Sequence, residues 1–383
     1  MRILILHSRY LGPVSGETMV AEDEAKLLRG AGHQVHMWAP SPEVAGPTGK
    51  VRAAGSAVWS TSATARVKRL IRAHRIDVVH VHNLFPALSP AVLRAARSQG
   101  AAAVVTLHNY RLMCLPATFL RDGKVCEACL GRLPWRGVVY RCYRDSRPAS
   151  AALAASLGVH RSVGTFDRVN RFIAVSRFVR DKHVEAGFPP DRFLVKPNFS
   201  WPATRREGPG DYFLVLGRLH PEKGVATLIE AWAEHGAPGR LVVAGSGTEE
   251  PRLRAQASGR VEFLGEVSPS GVPALVKGAR AVFVPSLWYE AAPRGIVEAY
   301  AAGVPVVASR VGALPESVEE GVSGFLAAPG DPLAWAHAAE QLQDDSEALR
   351  LGEGAWRLWR DRYSPERGLA NLESAYRAAM ADR

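Results

Sequence analysis

Residues 287–309 read LWYEAAPRGIVEAYAAGVPVVAS and predict an anion site where a helix begins. Glu290 and Glu298 are separated by seven residues, and the pattern predicts a helix that starts near Pro293. Glu290 then lies in the loop before the helix, and Glu298 lies on its second turn. The first backbone N–H groups of a helix have no partner within it, so they can bind a phosphate. The order of loop, helix and buried strand is typical of a parallel α/β fold.

Short apolar segments alternate with helical segments along the chain, which predicts βαβ units and parallel sheets. In the first half, the expected strands are 2–8, 33–40, 77–83, 101–109 and 171–176, and the expected helices are 18–30, 62–75, 87–100 and 177–186. A loop rich in Gly, Pro and Ser is expected before the helix at 62–75. In the second half, the expected strands are 211–219, 239–247, 259–267, 280–287 and 304–312.

A linker rich in proline and glycine, residues 193–211, separates two α/β halves. We expect an N-terminal Rossmann-like domain at 1–205, a C-terminal one at 206–364, and a last helix at 365–383 that packs back on the N-terminal domain. The N-terminal domain carries an insertion at about 110–147. The predicted architecture is two facing Rossmann-like domains with parallel sheets and a deep cleft between them.

A second motif, GRLHPEKG at 217–224, follows the first strand of the C-terminal half. Arg218 and Lys223 are five residues apart, and the flanking glycines allow a ligand to approach the backbone closely. Two cations can neutralise a diphosphate without a metal ion. The sequence has no Asp-x-Asp element for a divalent metal on the diphosphate. We therefore expect that chemistry at a diphosphate held by this motif needs no metal ion or other cofactor.

Together the two motifs resemble those of the family 4 retaining glycosyltransferases (glycosyltransferase group 1), which have the GT-B fold. The resemblance spans nearly the whole chain and is most specific at 211–330. It continues through VGALPESVEEGVSGFLAAPGD at 311–331, with Ala313 where a second glycine is usual. It implies transfer of a sugar from a nucleotide-sugar donor to an acceptor. The family mechanism is attack on the front face of the sugar, and the leaving phosphate takes the acceptor proton.

The resemblance also implies roles for individual residues. Glu290 contacts the hydroxyls of the donor sugar, Glu298 contacts the ribose, and the two cations stabilise the leaving diphosphate. The implied catalytic residues are His108, Arg218, Lys223 and Glu290. The implied donor-binding residues are Gly16, Arg218, Lys223, Gly245, Leu264, Glu290, Arg294, Gly295, Ile296 and Glu298.

Several residues of the N-terminal half are candidates for contacts with the donor sugar or the acceptor. His108 ends a strand and therefore points into the crevice at the carboxyl ends of the strands, where the family histidine contacts the donor sugar. LGPVSGE at 11–17 follows the first strand and lacks the G-x-G-x-x-G spacing of a dinucleotide site. The acceptor-side candidates are Gly12, His82, Asn83, Ser176 and Asn198. Structural roles are open for each histidine of VVHVHN and, as turn-stabilising residues, for Ser176 and Asn198.

Four cysteines, Cys114, Cys126, Cys129 and Cys142, follow the pattern C-x11-C-x2-C-x12-C within the insertion. In a cytosolic protein this pattern favours a tetrahedral zinc site, with disulfides, free thiols or an iron–sulfur cluster as alternatives. The insertion is rich in Gly, Pro and Arg and cannot build a core alone, so a structural zinc would stabilise its fold. We expect the insertion to lie over the acceptor side.

The positive charge is concentrated in the first half of the chain. Residues 1–200 hold 29 Lys and Arg against 13 Asp and Glu, a balance of +16, whereas the remaining residues hold 19 against 24, a balance of −5. An anionic membrane surface or an anionic glycan acceptor would fit this charge. The helix at 62–75 is basic and amphipathic, so it either lies on lipid or packs on its own sheet with a solvated basic face.

The expected partners are a nucleotide-sugar donor, a glycan or lipid-linked acceptor and an anionic membrane. No apolar stretch approaches the length of a membrane span, and no signal peptide is visible, so we expect a cytoplasmic protein that can be peripheral at the inner face of the membrane. The alternative functions are a nucleotide-sugar epimerase of similar fold and a basic, zinc-containing nucleic-acid-binding protein. Aromatic residues are not interleaved with the basic ones, so we expect no nucleic acid partner.

Overall fold

The computed structural model describes residues 1–10, 15–42 and 46–383. Its strands are β1 (Arg2–His7), β2 (Gln34–Trp38), β3 (Val78–Asn83), β4 (Ala102–Leu107), β5 (Leu120–Arg121), β6 (Lys124–Val125), β7 (Arg171–Ala174), β8 (Phe193–Val195), β9 (Tyr212–Leu216), β10 (Arg240–Ala244), β11 (Val261–Gly265), β12 (Ala279–Val284), β13 (Val306–Ser309) and β14 (Gly324–Ala327). Its helices are α1 (Gly16–Gly30), α2 (Gly46–Val58), α3 (Thr61–His74), α4 (Ala91–Ser98), α5 (Trp135–Val139), α6 (Arg147–Ser162), α7 (Arg177–Glu185), α8 (Val225–Ala233), α9 (Glu250–Gln256), α10 (Val272–Gly278), α11 (Arg294–Ala301), α12 (Leu314–Ser317), α13 (Pro332–Gln341), α14 (Asp345–Leu358) and α15 (Pro365–Ala381).

The chain forms two compact units. The N-terminal unit consists of Met1–Phe119, Glu127–Lys196 and Gly368–Arg383, and the C-terminal unit consists of Leu120–Cys126 and Pro197–Arg367. The units therefore divide between Lys196 and Pro197, whereas the sequence predicts a division after residue 205. Most of α15 belongs to the N-terminal unit, where the Tyr376 hydroxyl lies 2.8 Å from His80 Nδ1.

The N-terminal unit is built on a parallel sheet with the strand order β2-β1-β3-β4-β7-β8. Every residue of β3 and β4 is buried, which is typical of central strands covered on both faces by helices. The order reverses at β1, because β2 pairs on one side of it and β3 on the other. Ligands of open α/β sheets bind at the carboxyl ends of strands at such a reversal.

The C-terminal unit repeats this architecture with the order β11-β10-β9-β12-β13-β14, again all parallel. Neighbouring residues of β9 point to opposite faces of the sheet, as in any strand. Phe213 packs in a core with Trp232 and Trp335, and Leu214 packs in a second core with Tyr300 and Trp359. Here the order reverses at β9, which lies between β10 and β12.

The sequence-based elements differ from the structure in a few places. Residues 46–58, expected within a loop, form α2, and the C-terminal sheet has a further short strand, β14. The expected linker begins with β8, which is the edge strand of the N-terminal sheet. The expected basic helix is α3, and its apolar residues Val67 and Ile71 are buried. The structure therefore favours the packed alternative for this helix, with a solvated basic face.

No helix among the described residues is both long and apolar enough to cross a membrane.

Candidate functional site

The two motifs of the C-terminal unit meet where its strand order reverses. GRLHPEKG follows β9 and the loop that holds Glu290 follows β12, and these strands are hydrogen-bonded neighbours. Because both strands are parallel, their carboxyl ends lie at the same edge of the sheet. The backbone N–H of Leu287 donates to Glu222 O at 2.9 Å, which joins the two loops.

Lys223 and Glu290 form a short ion pair at this edge. Lys223 Nζ lies 2.6 Å from Glu290 Oε1, and the same oxygen accepts hydrogen bonds from Ser286 Oγ at 2.7 Å and Trp288 Nε1 at 2.8 Å. The Glu290 side chain is only 7% exposed, whereas that of Lys223 is 25% exposed. Three donors on one oxygen fix the orientation of the carboxylate.

The charge of Glu290 depends on these partners. Burial raises the pKa of its carboxyl, but the Lys223 ammonium and the hydrogen bonds from Lys223, Ser286 and Trp288 outweigh burial and lower the pKa below its ordinary value. The carboxylate is therefore ionised at neutral pH. An ionised, fixed carboxylate can accept hydrogen bonds from the hydroxyls of a sugar.

Close backbone contacts hold both loops in place. Gly224 has a φ of 67°, and a Cβ at this position would lie 2.0 Å from Pro285 O in the neighbouring loop, so only glycine fits. On the other side of the glutamate, the Ala313 N–H donates to Glu290 O at 3.0 Å. Ala313 has a φ of −86° and is fully buried, so the alanine that replaces the family's usual glycine needs no special backbone conformation.

The helix after Glu290 begins as the sequence predicts. Pro293 is the N-cap of α11 and, having no side-chain donor or acceptor, leaves the first N–H groups without a side-chain cap. Glu298 Oε1 accepts hydrogen bonds from Arg294 Nε at 3.2 Å and Nη2 at 3.1 Å. A Cβ on Gly295 would meet nothing within 4 Å, so the first turn has open space beside it, whereas Ile296 is fully buried and can offer a ligand only its backbone.

Arg218 is arranged differently from Lys223. Its side chain is 66% exposed and its guanidinium lies 3.8 Å from Glu222. Of the two predicted cations, Lys223 is thus held by the glutamate and Arg218 extends into solvent. Both stay predicted ligands of the diphosphate.

Two further predicted donor residues are Gly245, just after β10, and Leu264, on β11. Gly245 follows β10 with a φ of 138°, and a Cβ there would lie 1.9 Å from Gly217 O. The close approach of the loop after β10 to the loop after β9 therefore requires glycine here, independently of any contact with a ligand. Leu264, on β11, is 42% exposed and can contact a ligand through its side chain.

In the N-terminal unit, His108 belongs to a buried chain of polar groups. His108 Nε2 lies 2.9 Å from His82 Nδ1, and His82 Nε2 lies 3.5 Å from Glu24 Oε2. Lys196 Nζ lies 2.8 Å from the other oxygen of Glu24, and both side chains are buried. Burial lowers the pKa of His108 to about 3, although the Glu24 carboxylate opposes this shift. Burial also lowers the pKa of His82 well below its ordinary value, so both rings are neutral at neutral pH.

The Glu24 carboxylate favours a particular proton arrangement in this chain. A neutral His82 with its proton on Nε2, facing Glu24, presents Nδ1 as an acceptor to His108 Nε2–H. His108 Nδ1 is then left as an acceptor for a ligand hydroxyl. The sequence identifies His82 as an acceptor-side candidate, whereas the structure places it behind His108, where it can orient that ring.

The other predicted acceptor-side residues have structural contacts. Asn83 donates to Ser8 O at 2.8 Å and accepts from the Phe85 N–H at 3.2 Å. Ser176 caps α7, and Asn198, in the C-terminal unit, donates to Ala292 O at 3.0 Å. Gly12 lies outside the described residues, and Gly16 is the exposed first residue of α1. The contacts of Asn83, Ser176 and Asn198 explain why these residue types are present even without a ligand. The roles of the predicted residues toward an acceptor therefore stay predictions.

Four residues of the two polar clusters were missed by the sequence analysis. Ser286 and Trp288 lie four and two residues before Glu290, so their proximity in sequence could have indicated them. Glu24 and Lys196 could not be found in this way, since one lies on α1 and the other just after β8.

The cysteines divide between the units. Cys114, Cys129 and Cys142 belong to the N-terminal unit, and Cys126 belongs to the short segment of the C-terminal unit. Burial raises the pKa of the Cys114 thiol to about 11, and the nearby Cys129 adds to this rise. Hydrogen bonds from the backbone N–H groups of Phe119 and Thr118 lower the pKa but do not outweigh burial. The neutral thiol of Cys114 is therefore favoured over the thiolate unless a metal ion replaces the proton.

Comparison with known families extends over most of the chain. Residues 14–199 match the family described as Glycosyltransferase Family 4, and residues 210–345 match Glycosyl transferases group 1. The chain belongs to the family 4, or group 1, glycosyltransferases. The match to this glycosyltransferase family includes both motifs of the C-terminal unit and confirms the predicted family and enzyme class.

Two curated relatives show how far the similarity reaches. This glycosyltransferase is 37% identical to the D-inositol 3-phosphate glycosyltransferase of Corynebacterium glutamicum over 183 residues, which cover 44% of this chain and 43% of that protein. It is 28% identical to the phosphatidyl-myo-inositol mannosyltransferase of Mycobacterium leprae over 355 residues, which cover 83% and 81%. The first alignment thus spans less than half of the relative's length.

A solved structure supports the fold. HepE of Anabaena in complex with UDP matches with a TM-score of 0.68 and 19% sequence identity, over 98% of this chain and 99% of that chain. With the two parallel sheets, this match confirms the predicted GT-B fold. Family and fold together favour a glycosyltransferase over the epimerase and over the nucleic-acid-binding protein considered from the sequence.

Proposed function

We propose that this protein is a retaining glycosyltransferase of the hexosyltransferase type that moves a sugar from a nucleoside diphosphate sugar to a glycan or lipid-linked acceptor. The observation that supports it best is the ion pair of Lys223 and Glu290 beside the uncapped start of α11. A diphosphate at this helix start gains from its N–H groups and from the two cations. HepE, of the same fold, is described in complex with UDP, which makes UDP sugars the first donors to test.

In this proposal each polar residue has a separate task. Arg218 and Lys223 neutralise the charge that develops on the leaving diphosphate, so no metal ion is required. Glu290, held by its three donors, binds the sugar hydroxyls. No residue is assigned as a covalent nucleophile, and the attack on the front face of the sugar that the family resemblance implies needs none. The leaving phosphate then takes the acceptor proton on the same face of the sugar.

The test is a transfer assay with UDP, GDP, ADP and dTDP sugars, in which the anomeric configuration of the product is read by NMR. We expect turnover only when an acceptor is present. We also expect the transferred sugar to keep in the product the anomeric configuration that it has in the donor. An inverted product would contradict the retaining mechanism. Turnover of the donor sugar without an acceptor, to a sugar of altered configuration, would support the epimerase instead.

Replacement of Glu298 with alanine should weaken nucleotide binding more than it alters the chemistry. Its carboxylate lies beside the helix start and is oriented by Arg294, so it can accept hydrogen bonds from ribose hydroxyls. Loss of hydrogen bonds to a charged acceptor predicts affinity lower by roughly tenfold or more. Titration calorimetry with the free nucleoside diphosphate measures this.

Glu347→Ala is a matched control, because Glu347 forms a similar ion pair with Arg350 on α14 and is equally exposed. Equal affinity in Glu298→Ala and the parent would refute the assignment.

We also propose a structural zinc at the four cysteines. The Cys-x2-Cys pair with two outlying cysteines supports it, because four cysteine thiolates are a common structural zinc set. Protein purified without chelator should contain about one zinc per chain, which a thiol-modifying reagent releases. Cys129→Ser should lower both the zinc content and the melting temperature. Elemental analysis that finds no metal would favour the disulfide alternative.

The positive charge of the first half supports a further proposal, on the acceptor and the place of action. We propose a cytoplasmic enzyme that works at the inner face of a membrane, where lipid-linked acceptors are reached. The relative from Mycobacterium leprae is named for phosphatidyl-myo-inositol, a lipid, and is similar over most of this chain.

A further inference from the structure

The insertion exposes an unusual concentration of large apolar side chains. Leu133, Trp135, Val139 and Tyr140 are 52%, 58%, 51% and 53% exposed, and they lie within eight residues. The other exposed large apolar side chains among the described residues occur singly or as near pairs along the chain. Single exposed apolar residues are ordinary, whereas a local group of them marks an interaction surface. We call the segment Arg132–Arg144 the insertion surface.

The insertion surface is held by the body of the N-terminal unit. Its short helix, α5, packs on α6 and buries Pro134 and Gly137, which turns Trp135 and Val139 toward solvent. Arg161, from α6, donates through Nη1 to Arg132 O at 2.9 Å and through Nη2 to Leu112 O at 2.9 Å. The apolar side chains are thus presented by a fixed backbone.

The same surface carries only positive charge. Between Ala128 and Arg144 the chain has four arginines and no acidic residue. Arg132, Arg141 and Arg144 are exposed, and Arg136 is half-buried beside the Trp135 ring, at 5.7 Å from its centroid. Apolar and aromatic side chains therefore lie among cations that have no acidic partner within the segment.

We propose that the insertion surface docks this protein on an anionic membrane. Tryptophan and tyrosine favour the boundary between headgroups and acyl chains, and arginines near an anionic surface add electrostatic attraction. Leu133 and Val139 gain from burial in this boundary, whereas aliphatic side chains offer a nucleic acid neither stacking nor hydrogen bonds. The charge complementarity selects anionic lipid over neutral lipid.

This inference rests on the proposed function in one respect only, which is that docking would give the enzyme access to a lipid-linked acceptor. Docking itself requires neither donor nor acceptor. Vesicle binding and nucleotide binding can therefore be measured separately, and failure of one leaves the other intact.

The experiment is co-sedimentation of the full chain with vesicles of phosphatidylglycerol and phosphatidylcholine, compared with vesicles of phosphatidylcholine alone. Binding should be at least about tenfold stronger with phosphatidylglycerol and should fall as salt is raised, since salt screens the arginines. The double variant Leu133→Ser, Trp135→Ser should lose most of this binding. A matched control is Leu333→Ser, Leu349→Ser, which replaces two exposed leucines on α13 and α14 and should bind like the parent.

A second pair of variants distinguishes the insertion surface from the basic face of α3. Arg132→Gln, Arg141→Gln, Arg144→Gln should abolish the preference for phosphatidylglycerol, and Arg66→Gln, Arg69→Gln, Arg72→Gln should retain it. Unchanged melting temperatures and nucleoside diphosphate affinities would show that all variants are folded. Loss of binding in the α3 variant alone would overturn the proposal in favour of α3. Equal, negligible sedimentation of the parent with both vesicles would also overturn it and leave a protein partner or a soluble acceptor for this surface.

Discussion

Alanine at both Arg218 and Lys223 should lower the rate of sugar transfer by at least about 10²-fold, which is the usual cost of losing one group that stabilises charge in a transition state. The two side chains follow β9 at the edge where the start of α11 also lies, so both can reach one diphosphate. Because no metal is needed in this arrangement, brief treatment with EDTA should leave the rate unchanged.

The single variants should differ in degree. Lys223→Ala removes the cation that holds the Glu290 carboxylate, so it should raise the pKa of that carboxyl and disturb its orientation as well as weaken diphosphate binding. Arg218→Ala removes a mostly exposed side chain with one distant ion-pair partner and should leave the site intact. We therefore expect Lys223→Ala to lower the rate more than Arg218→Ala.

Steady-state transfer rates of the two single variants and the double variant test these expectations. Arg252→Ala, Arg254→Ala is a matched control, because both arginines form exposed ion pairs on α9 of the same unit. Melting temperatures close to that of the parent exclude misfolding as the cause. A double variant that turns over at nearly the parent rate would show that the diphosphate is stabilised by other groups.

The sequence predicted this site because its two motifs carry their chemistry in short stretches. GRLHPEKG and the opening motif each follow a strand, and the carboxyl ends of parallel strands meet at one edge. The contact of Lys223 with Glu290 needed one further fact, that β12 pairs with β9 and β10 does not lie between them. Strand order depends on packing between distant segments, so no local pattern reveals it.

The interior polar cluster of the N-terminal unit was hidden for the same reason. Glu24 belongs to α1, a helix with ordinary apolar and charged residues, yet its carboxylate is buried against Lys196. A charged residue on a helix is usually solvated, so burial of this pair could be learned only from the structure. Similarly, α2 contains glycines and a proline that indicate a loop, and it was predicted as one.

Replacement of Glu290 with glutamine should lower transfer on the order of 10²-fold and leave the affinity for the free nucleoside diphosphate nearly unchanged. Glutamine keeps an oxygen that can accept from Ser286 and Trp288, so the side chain can stay in place. It loses the negative charge, which is present at neutral pH because the pKa of this carboxyl is lowered. The sugar hydroxyls would then meet a weaker acceptor, whereas the diphosphate would still meet Arg218, Lys223 and the helix start.

Two comparison variants make this result specific to Glu290. Ser286→Ala removes one of the three donors to Oε1 but keeps the charge, so it should lower transfer less than Glu290→Gln. Glu320→Gln removes an exposed carboxylate that pairs with Arg310 in the same unit and should transfer like the parent. Transfer rates are measured at saturating donor, and nucleoside diphosphate affinity is measured by calorimetry. If Glu290→Gln weakened nucleotide binding as much as transfer, the glutamate would serve to hold the loop after β12 rather than the sugar. A parent-like rate would remove Glu290 from the reaction altogether.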